Sequence, residues 1–186
     1  MITADEGNAP IALLSTNQPY ATEQMWEGRS RYDIYTVNLQ TGERRQIKKA
    51  SNSNMQLAPK GTYVYWYCAQ DSSWYTYSLA NGKEYRLTTP ATFAAWDEDN
   101  DVPDYPSPHG LAGWTADDRN LLIYDRYDIW KFDPTAEVAP VNLTVNGRKE
   151  QLSYRLIRLD KEEKFIDITK SQLLQVFNEK TKGSGY

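Results

Sequence analysis

Cysteine and histidine are almost missing from these 186 residues, at one each. A lone Cys68 excludes an internal disulfide and any cysteine metal cluster. A lone His109 leaves a single imidazole for acid–base chemistry. No apolar run approaches the roughly 20 residues that a membrane-crossing helix needs. The opening MITADEGNAP has neither the basic nor the apolar segment of a secretory signal, so no signal peptide is expected there. Basic residues are not in excess: 21 Lys and Arg stand against 25 Asp and Glu, for a net charge of −4, which gives no footprint for nucleic acid. What is abundant is aromatic: 14 Tyr, 6 Trp and 4 Phe favour strands over helices. Hydrophobic residues at 40% and charged residues at 25% are ordinary values for a globular chain.

The chain is organised around residues 57–88, LAPKGTYVYWYCAQDSSWYTYSLANGKEYRLT. Pro59 presets φ for a turn and Gly61 supplies a permissive backbone. Residues 63–69 then alternate, with Val64, Trp66 and Cys68 on one face and Tyr63, Tyr65 and Tyr67 on the other. A turn at 70–72 returns the chain through 73–79, and Asn81-Gly82 is a hairpin signal because both residues tolerate positive φ. Residues 83–88 make a third strand. Both faces are apolar or aromatic, so such a sheet needs cover on both sides. Cys68 alternates with Val64 and Trp66 and reads as a small core residue.

The unit recurs. Residues 31–47 lay onto 71–87 without a gap, with Leu39 on Leu79, Gly42 on Gly82 and Ile47 on Leu87. Residues 114–133 repeat the turn, strand, turn and strand, and Tyr127-Asp128-Ile129-Trp130 answers Tyr32-Asp33-Ile34-Tyr35. Residues 2–8 match 114–120 at four positions. Repeats of about 40–50 residues with several short strands each indicate propeller blades. The expected fold is all-β: a partial β-propeller of about three four-stranded antiparallel blades, truncated at both ends. Approximate blades are 1–50, 51–90 and 91–144, with an incomplete unit at 145–186. Strands are expected at 91–96, 151–160 and 172–178, and a polar loop around Trp26 at 17–31. Closed propellers have 4–8 blades, so the chain reads as a piece of a larger array whose open edges invite self-association.

Candidate functional residues are few. Residues 97–108 (DEDNDVPDYPSP) form an insertion with five carboxylates and three prolines, which cannot be a central strand. Asp97, Asp99 and Asp101 alternate like the first ligands of a calcium loop, but Val102 and Pro108 stand where that loop needs Gly and Glu, so a solvated acidic loop is expected. Asn142-Leu143-Thr144 is a glycosylation sequon within a repeat-closing strand. Asp125, Arg126 and Asp128 are expected to form a modest local ion pair at a hairpin. Most aromatics sit at alternating positions that blades bury; Trp26 and Tyr105, in loops, are the candidates for substrate contact. His109, in a Pro-Gly loop without a serine partner in sequence, reads as structural rather than catalytic and joins them as a contact candidate. No catalytic residue, metal or cofactor is expected in this chain. Gly183-Ser184-Gly185 has no strand-to-helix elbow behind it.

The spacing around APKG…YVYW and WTADD…LLIYDRYDIW, each unit closing on Leu-Thr, resembles the propeller repeats of the TolB and prolyl oligopeptidase group. The run PSPHGLAGWTADDRNLLIYDRYDIWKFD resembles more closely the propeller of bacterial S9 serine peptidases, the prolyl oligopeptidase and dipeptidyl peptidase relatives common in Bacteroidetes. The resemblance covers most of the chain. It implies that an α/β-hydrolase domain elsewhere in a parent polypeptide carries the Ser-Asp-His triad, and that the propeller caps it and restricts peptide access. It also implies an extracytoplasmic setting. Dipeptidyl peptidase relatives grip the substrate amino terminus with a Glu-Glu pair; Glu162-Glu163 has that composition, but its KEEK setting reads as a solvated turn and the role is not carried over. The alternative is a TolB-like propeller that serves only as a protein- or glycan-binding scaffold.

Overall fold

Alternation becomes pleated strand over most of the chain, and each group of strands pairs with its sequence neighbours. The computed structural model describes residues 1–186. Sheet I is the meander β1 (Ile2–Thr3), β2 (Ile11–Thr16), β3 (Tyr32–Asn38) and β4 (Arg44–Ser51), with helix α1 (Ala21–Glu27) between β2 and β3. Sheet II is β5 (Gln56–Leu57), β6 (Tyr63–Cys68), β7 (Ser73–Ser78) and β8 (Glu84–Arg86). Sheet III is β9 (Leu111–Trp114), β10 (Leu121–Tyr124), β11 (Ile129–Phe132) and β12 (Val141–Asn142). After the short helix α2 (Gly147–Glu150), sheet IV holds three strands, β13 (Leu152–Leu156), β14 (Leu174–Asn178) and β15 (Ser184–Gly185). Every pairing within these sheets is antiparallel. Meander geometry then puts turns after the first and third strands at one end, called lower here, and turns after the second strands at the upper end.

Each core lies between consecutive sheets. Leu13 and Ile34 of sheet I meet Leu57, Val64, Trp66 and Tyr77 of sheet II. Trp74 of sheet II, with Tyr63, Tyr65 and Tyr67, meets Trp114, Leu121, Ile123 and Phe132 of sheet III. Ala112, Leu122 and Ile129 of sheet III meet Tyr154, Leu156 and Leu174 of sheet IV. Burying both faces of sheets II and III explains why their strands read as nearly unbroken apolar runs, such as the fully buried Leu121–Tyr124. Four meanders stacked face to face in sequence order are blades of a partial β-propeller. Sheets I and IV each keep one face with no sheet packed on it.

The lower turns lock neighbouring blades. In sheet I, Asp5 and Glu6 take left-handed φ of 49° and 57°, and in sheet III Asp117 and Asp118 take 57° and 53°, so the sequence match between these turns is a match of backbone. Asp118 is 1% exposed, and its carboxylate accepts the Lys60 N–H at 3.0 and 3.1 Å, the Thr62 N–H at 3.3 Å and the Thr62 hydroxyl at 2.7 Å. Asp5 N–H donates to the Pro59 carbonyl at 2.7 Å, which ties sheet I to the same sheet II turn.

Three local expectations are corrected. The Asn81-Gly82 hairpin forms, with only Gly82 left-handed at φ 69° and its N–H reaching back to Ser78 O in a four-residue turn, but the strand expected at 83–88 is confined to Glu84–Arg86. Residues 91–96 form no strand. Phe93 N–H closes a turn on Thr89 O, and its ring plugs the core edge-on against Trp130 and Phe132. The polar segment after β2 is not wholly loop; it contains α1, which ends at Gly28 with φ 66°.

Candidate functional site

Two enlarged connections stand at the upper end. The long connection after β2 and the 97–108 insertion meet there: Arg29 pairs with Asp104 at 2.9 Å, and its guanidinium lies 5.3 Å from the Tyr105 ring centroid. Tyr67, at the upper end of β6, donates its hydroxyl to Pro106 O at 3.2 Å. Between these groups opens a cleft of about 450 Å³, lined by Arg29, Tyr32, Asn52, Asn54, Tyr67 and Tyr105 among others. Its chemistry is aromatic faces, side-chain amides and a guanidinium paired with the Asp104 carboxylate, a set suited to holding an extended polar chain.

The insertion is strapped across this end by its carboxylates. Asp99 pairs with Arg126 at 2.8 Å and Glu98 with Arg148 at 3.0 Å. Arg126 also grips Glu179 of sheet IV through two contacts at 3.0 and 3.1 Å, and Tyr127 donates to that carboxylate at 3.0 Å. The Arg126 guanidinium above all, aided by Tyr127, holds the Glu179 carboxyl below the usual glutamate range despite burial. Arg126 and Arg148 both lie over Tyr127, at 5.4 and 5.2 Å from its centroid.

Asp125 and Asp128, expected with Arg126 to form a modest local ion pair, are buried supports instead, and Arg126 pairs with Asp99 and Glu179. Asp125 accepts the Tyr127 and Asp128 N–H groups at 2.7 and 2.6 Å and the Trp130 indole N–H at 3.2 Å. Asp128 accepts Thr144 Oγ1–H at 2.6 Å, Gly147 N–H at 2.9 Å and Arg148 N–H at 3.1 Å, and so starts α2. A Cβ at Gly147 would lie 2.5 Å from Asp128 Oδ1, which is why glycine stands there. The repeat-closing threonines act alike. Thr88 Oγ1 accepts the Trp74 N–H and Thr144 Oγ1 the Ile129 N–H, each near the start of its blade's third strand.

The structure disperses the contact candidates along this end. Tyr105 lines the cleft beside Arg29. Trp26 projects from α1, 86% exposed, next to Met25 at 85%. His109 lies behind the insertion, its backbone N–H on Ala95 O at 2.9 Å and its Nε2 buried without a partner. Burial, reinforced by the positive charge of Arg155, holds this imidazole below its ordinary pKa. Asp97, Asp99 and Asp101 do not converge: Asp97 caps the N–H of Asp99, Asp99 turns to Arg126, and no group of three acidic, His or Cys side chains is poised for a metal ion. Asn142 uses its side-chain oxygen on the N–H groups of Thr144 and Val145.

No family model matches the chain, and no curated protein matches it. Solved structures are similar to it at low identity. One is TolB from Acinetobacter baumannii, at 13% identity over 96% of this chain and 40% of that one, with a TM-score of 0.40. Another is the β-propeller domain of the Trilobed protease from Pyrococcus furiosus, described as having an open velcro topology, at 13% over 90% and 49%, TM-score 0.43. A third is described as TolB from Agrobacterium tumefaciens, at 15% over 96% and 61%, TM-score 0.42. The chain thus spans between 40% and 61% of the length of these structures. The propeller assignment rests on the four sheets and their shared cores.

Sequence reasoning missed Arg29, Tyr67 and the Asn52–Asn54 segment as parts of the cleft. Tyr67 follows the blade alternation, so only its place at the strand's upper end distinguishes it. Arg29 had a findable signal, since it shares a loop with Trp26.

Proposed function

We propose that this chain is the non-catalytic propeller portion of an S9-like serine peptidase, and that its upper cleft gates and orients peptide substrates for a hydrolase domain of the same polypeptide. The observation that carries the reading is the cleft itself. Two enlarged connections meet at one end of the blades and enclose aromatic and amide groups without an assembled nucleophile and base. His109, the one imidazole, is used in packing behind the insertion. The sequence resemblance supplies the family, and the same resemblance favours an extracytoplasmic setting.

The test uses the native polypeptide. A fluorophosphonate probe should label it at a serine outside these residues. Tyr105→Ala should then lower kcat/KM for peptides several residues long while leaving hydrolysis of a small aryl ester unchanged. Absence of labelling, or equal loss on both substrates, would overturn the reading. The amide-rich lining, with Asn52, Asn54 and Gln70 beside three tyrosines, also suits a glycan. A scaffold that binds glycan or protein without hydrolysis is therefore the second reading, and an unlabelled polypeptide that retains saturable glycan binding would favour it.

A further inference from the structure

The lower end of the blades carries a second concavity, separate from the cleft. The turns after β1, β5 and β9 are short, but residues 157–173 after β13 are long and fold beneath the others. Phe165 bridges to Trp114, Ile166 N–H donates to Trp114 O at 2.8 Å, and Lys164 pairs with Glu6 of sheet I at 2.7 Å. The chain thereby shapes an open basin of about 440 Å³, lined from sheets I, II and III and from the connection after β13.

Its charges are unevenly satisfied. Asp5 is paired with Lys60 and Glu6 with Lys164. Arg158 has no carboxylate within pairing distance; its guanidinium is held by two backbone carbonyls, Glu163 O at 2.8 Å and Ala112 O at 3.2 Å. That seat requires Gly113, at φ 140°, because a Cβ there would lie 2.2 Å from Arg158 Nη2. Guanidinium has five N–H donors, so most remain free for a ligand. Lys161, likewise without a carboxylate partner, lines the same basin, and Tyr65 forms an aromatic wall backed by the buried Trp114. Trp114 is 2% exposed and its indole N–H has no acceptor.

We propose that this basin binds a peptide carboxylate, with Arg158 and Lys161 taking the charge and Tyr65 flanking the adjoining side chain. Asp5, Glu6 and Glu163 also line the basin, and their repulsion acts about twice as strongly on a dianionic phosphate as on a singly charged carboxylate. Either a C-terminal or an acidic side-chain carboxylate supplies this chemistry. The site is independent of the cleft and of the peptidase reading.

Calorimetric titration of the full chain at low ionic strength tests it, with three probes: N-acetyl-Ala-Ala-Phe free acid, its C-terminal amide, and N-acetyl-Ala-Asp-Phe amide. The free acid should bind saturably and the Ala-Ala-Phe amide at least about tenfold more weakly, the loss expected on removing a charge-assisted contact. Binding of the Asp-containing amide identifies a side-chain carboxylate as sufficient; its failure confines the site to C termini. Arg158→Gln should weaken every carboxylate probe by about tenfold or more. Lys161→Gln, at an exposed side chain, gives the same direction without disturbing the Gly113 seat. Equal binding of acid and neutral amide, tighter binding of inorganic phosphate, no binding at millimolar probe, or no effect of both substitutions would each overturn the proposal.

Discussion

Removing the Asp118 carboxylate should loosen the joint between the second and third blades. Asp118→Ala takes the acceptor away from two backbone N–H groups and one hydroxyl, all on the turn of the neighbouring sheet. A hydrogen bond to a charged acceptor contributes about 1.5–3 kcal/mol net when the partners are buried. Lys60 and Thr62 sit at the rim, where water replaces part of what is lost, so the expected cost is about 2–4 kcal/mol. For a chain of this size that corresponds to a fall in Tm of about 10 °C. Asp118→Asn keeps one acceptor oxygen and a residue at ease with left-handed backbone, so it should lose about half as much. Glu6 occupies the matching place in the first blade, but its ion pair with Lys164 is at the surface; Glu6→Ala should cost about 0–1 kcal/mol. Urea unfolding followed by tryptophan fluorescence reads all three, with a constant m-value marking a change in stability alone. An Asp118→Ala protein within about 0.5 kcal/mol of the parent, or an Asn variant as damaged as Ala, would refute the clasp.

Three further outcomes follow from the same contacts. A double-mutant cycle on Arg126 and Glu179, both mostly buried side chains, should give a coupling of about 1 kcal/mol or more that survives added salt better than a surface pair would. Tyr20 O–H and Ala50 N–H, in that order, hold the Asp33 carboxyl below its ordinary pKa. A lowered folded pKa means that the unfolded chain binds more protons, so this stabilisation is present above about pH 4 and is lost as pH falls through the folded value; Asp33→Asn should flatten Tm against pH in that acid window. Gly82→Ala forces a side chain into left-handed backbone and against Arg45, and should cost at least about 1 kcal/mol by urea unfolding, whereas Ala80→Gly in the same turn should not.

The blades were legible because their information is local. Strict alternation at Tyr63–Cys68, repeated turn chemistry at TADEG and WTADD, and the Leu-Thr that ends a unit all act within a few residues. Sheet II therefore emerges from its own sequence. What could not be read was contact between units. Asp118 looks like any turn aspartate until Lys60 and Thr62 arrive from 56 to 58 residues away. Asp125 and Asp128 look like surface charge until their own backbone wraps over them. Phe93 and Ala95 alternate as a strand would, yet only an isolated bridge forms, from Trp96 to Pro108, and Phe93 turns into the core against Phe132. The cleft was half visible, through Tyr105, because its remaining walls come from sheets I and II and only the fold sets them side by side.

The most direct test of the central claim is the intact mass of the native polypeptide, with peptide mapping of whatever lies beyond these residues. A mass several times 21.4 kDa, with peptides spanning a Gly-x-Ser-x-Gly elbow, is the result expected of a peptidase propeller. A mass near 21.4 kDa, or a longer chain made of repeats alone, would contradict it and leave a binding module.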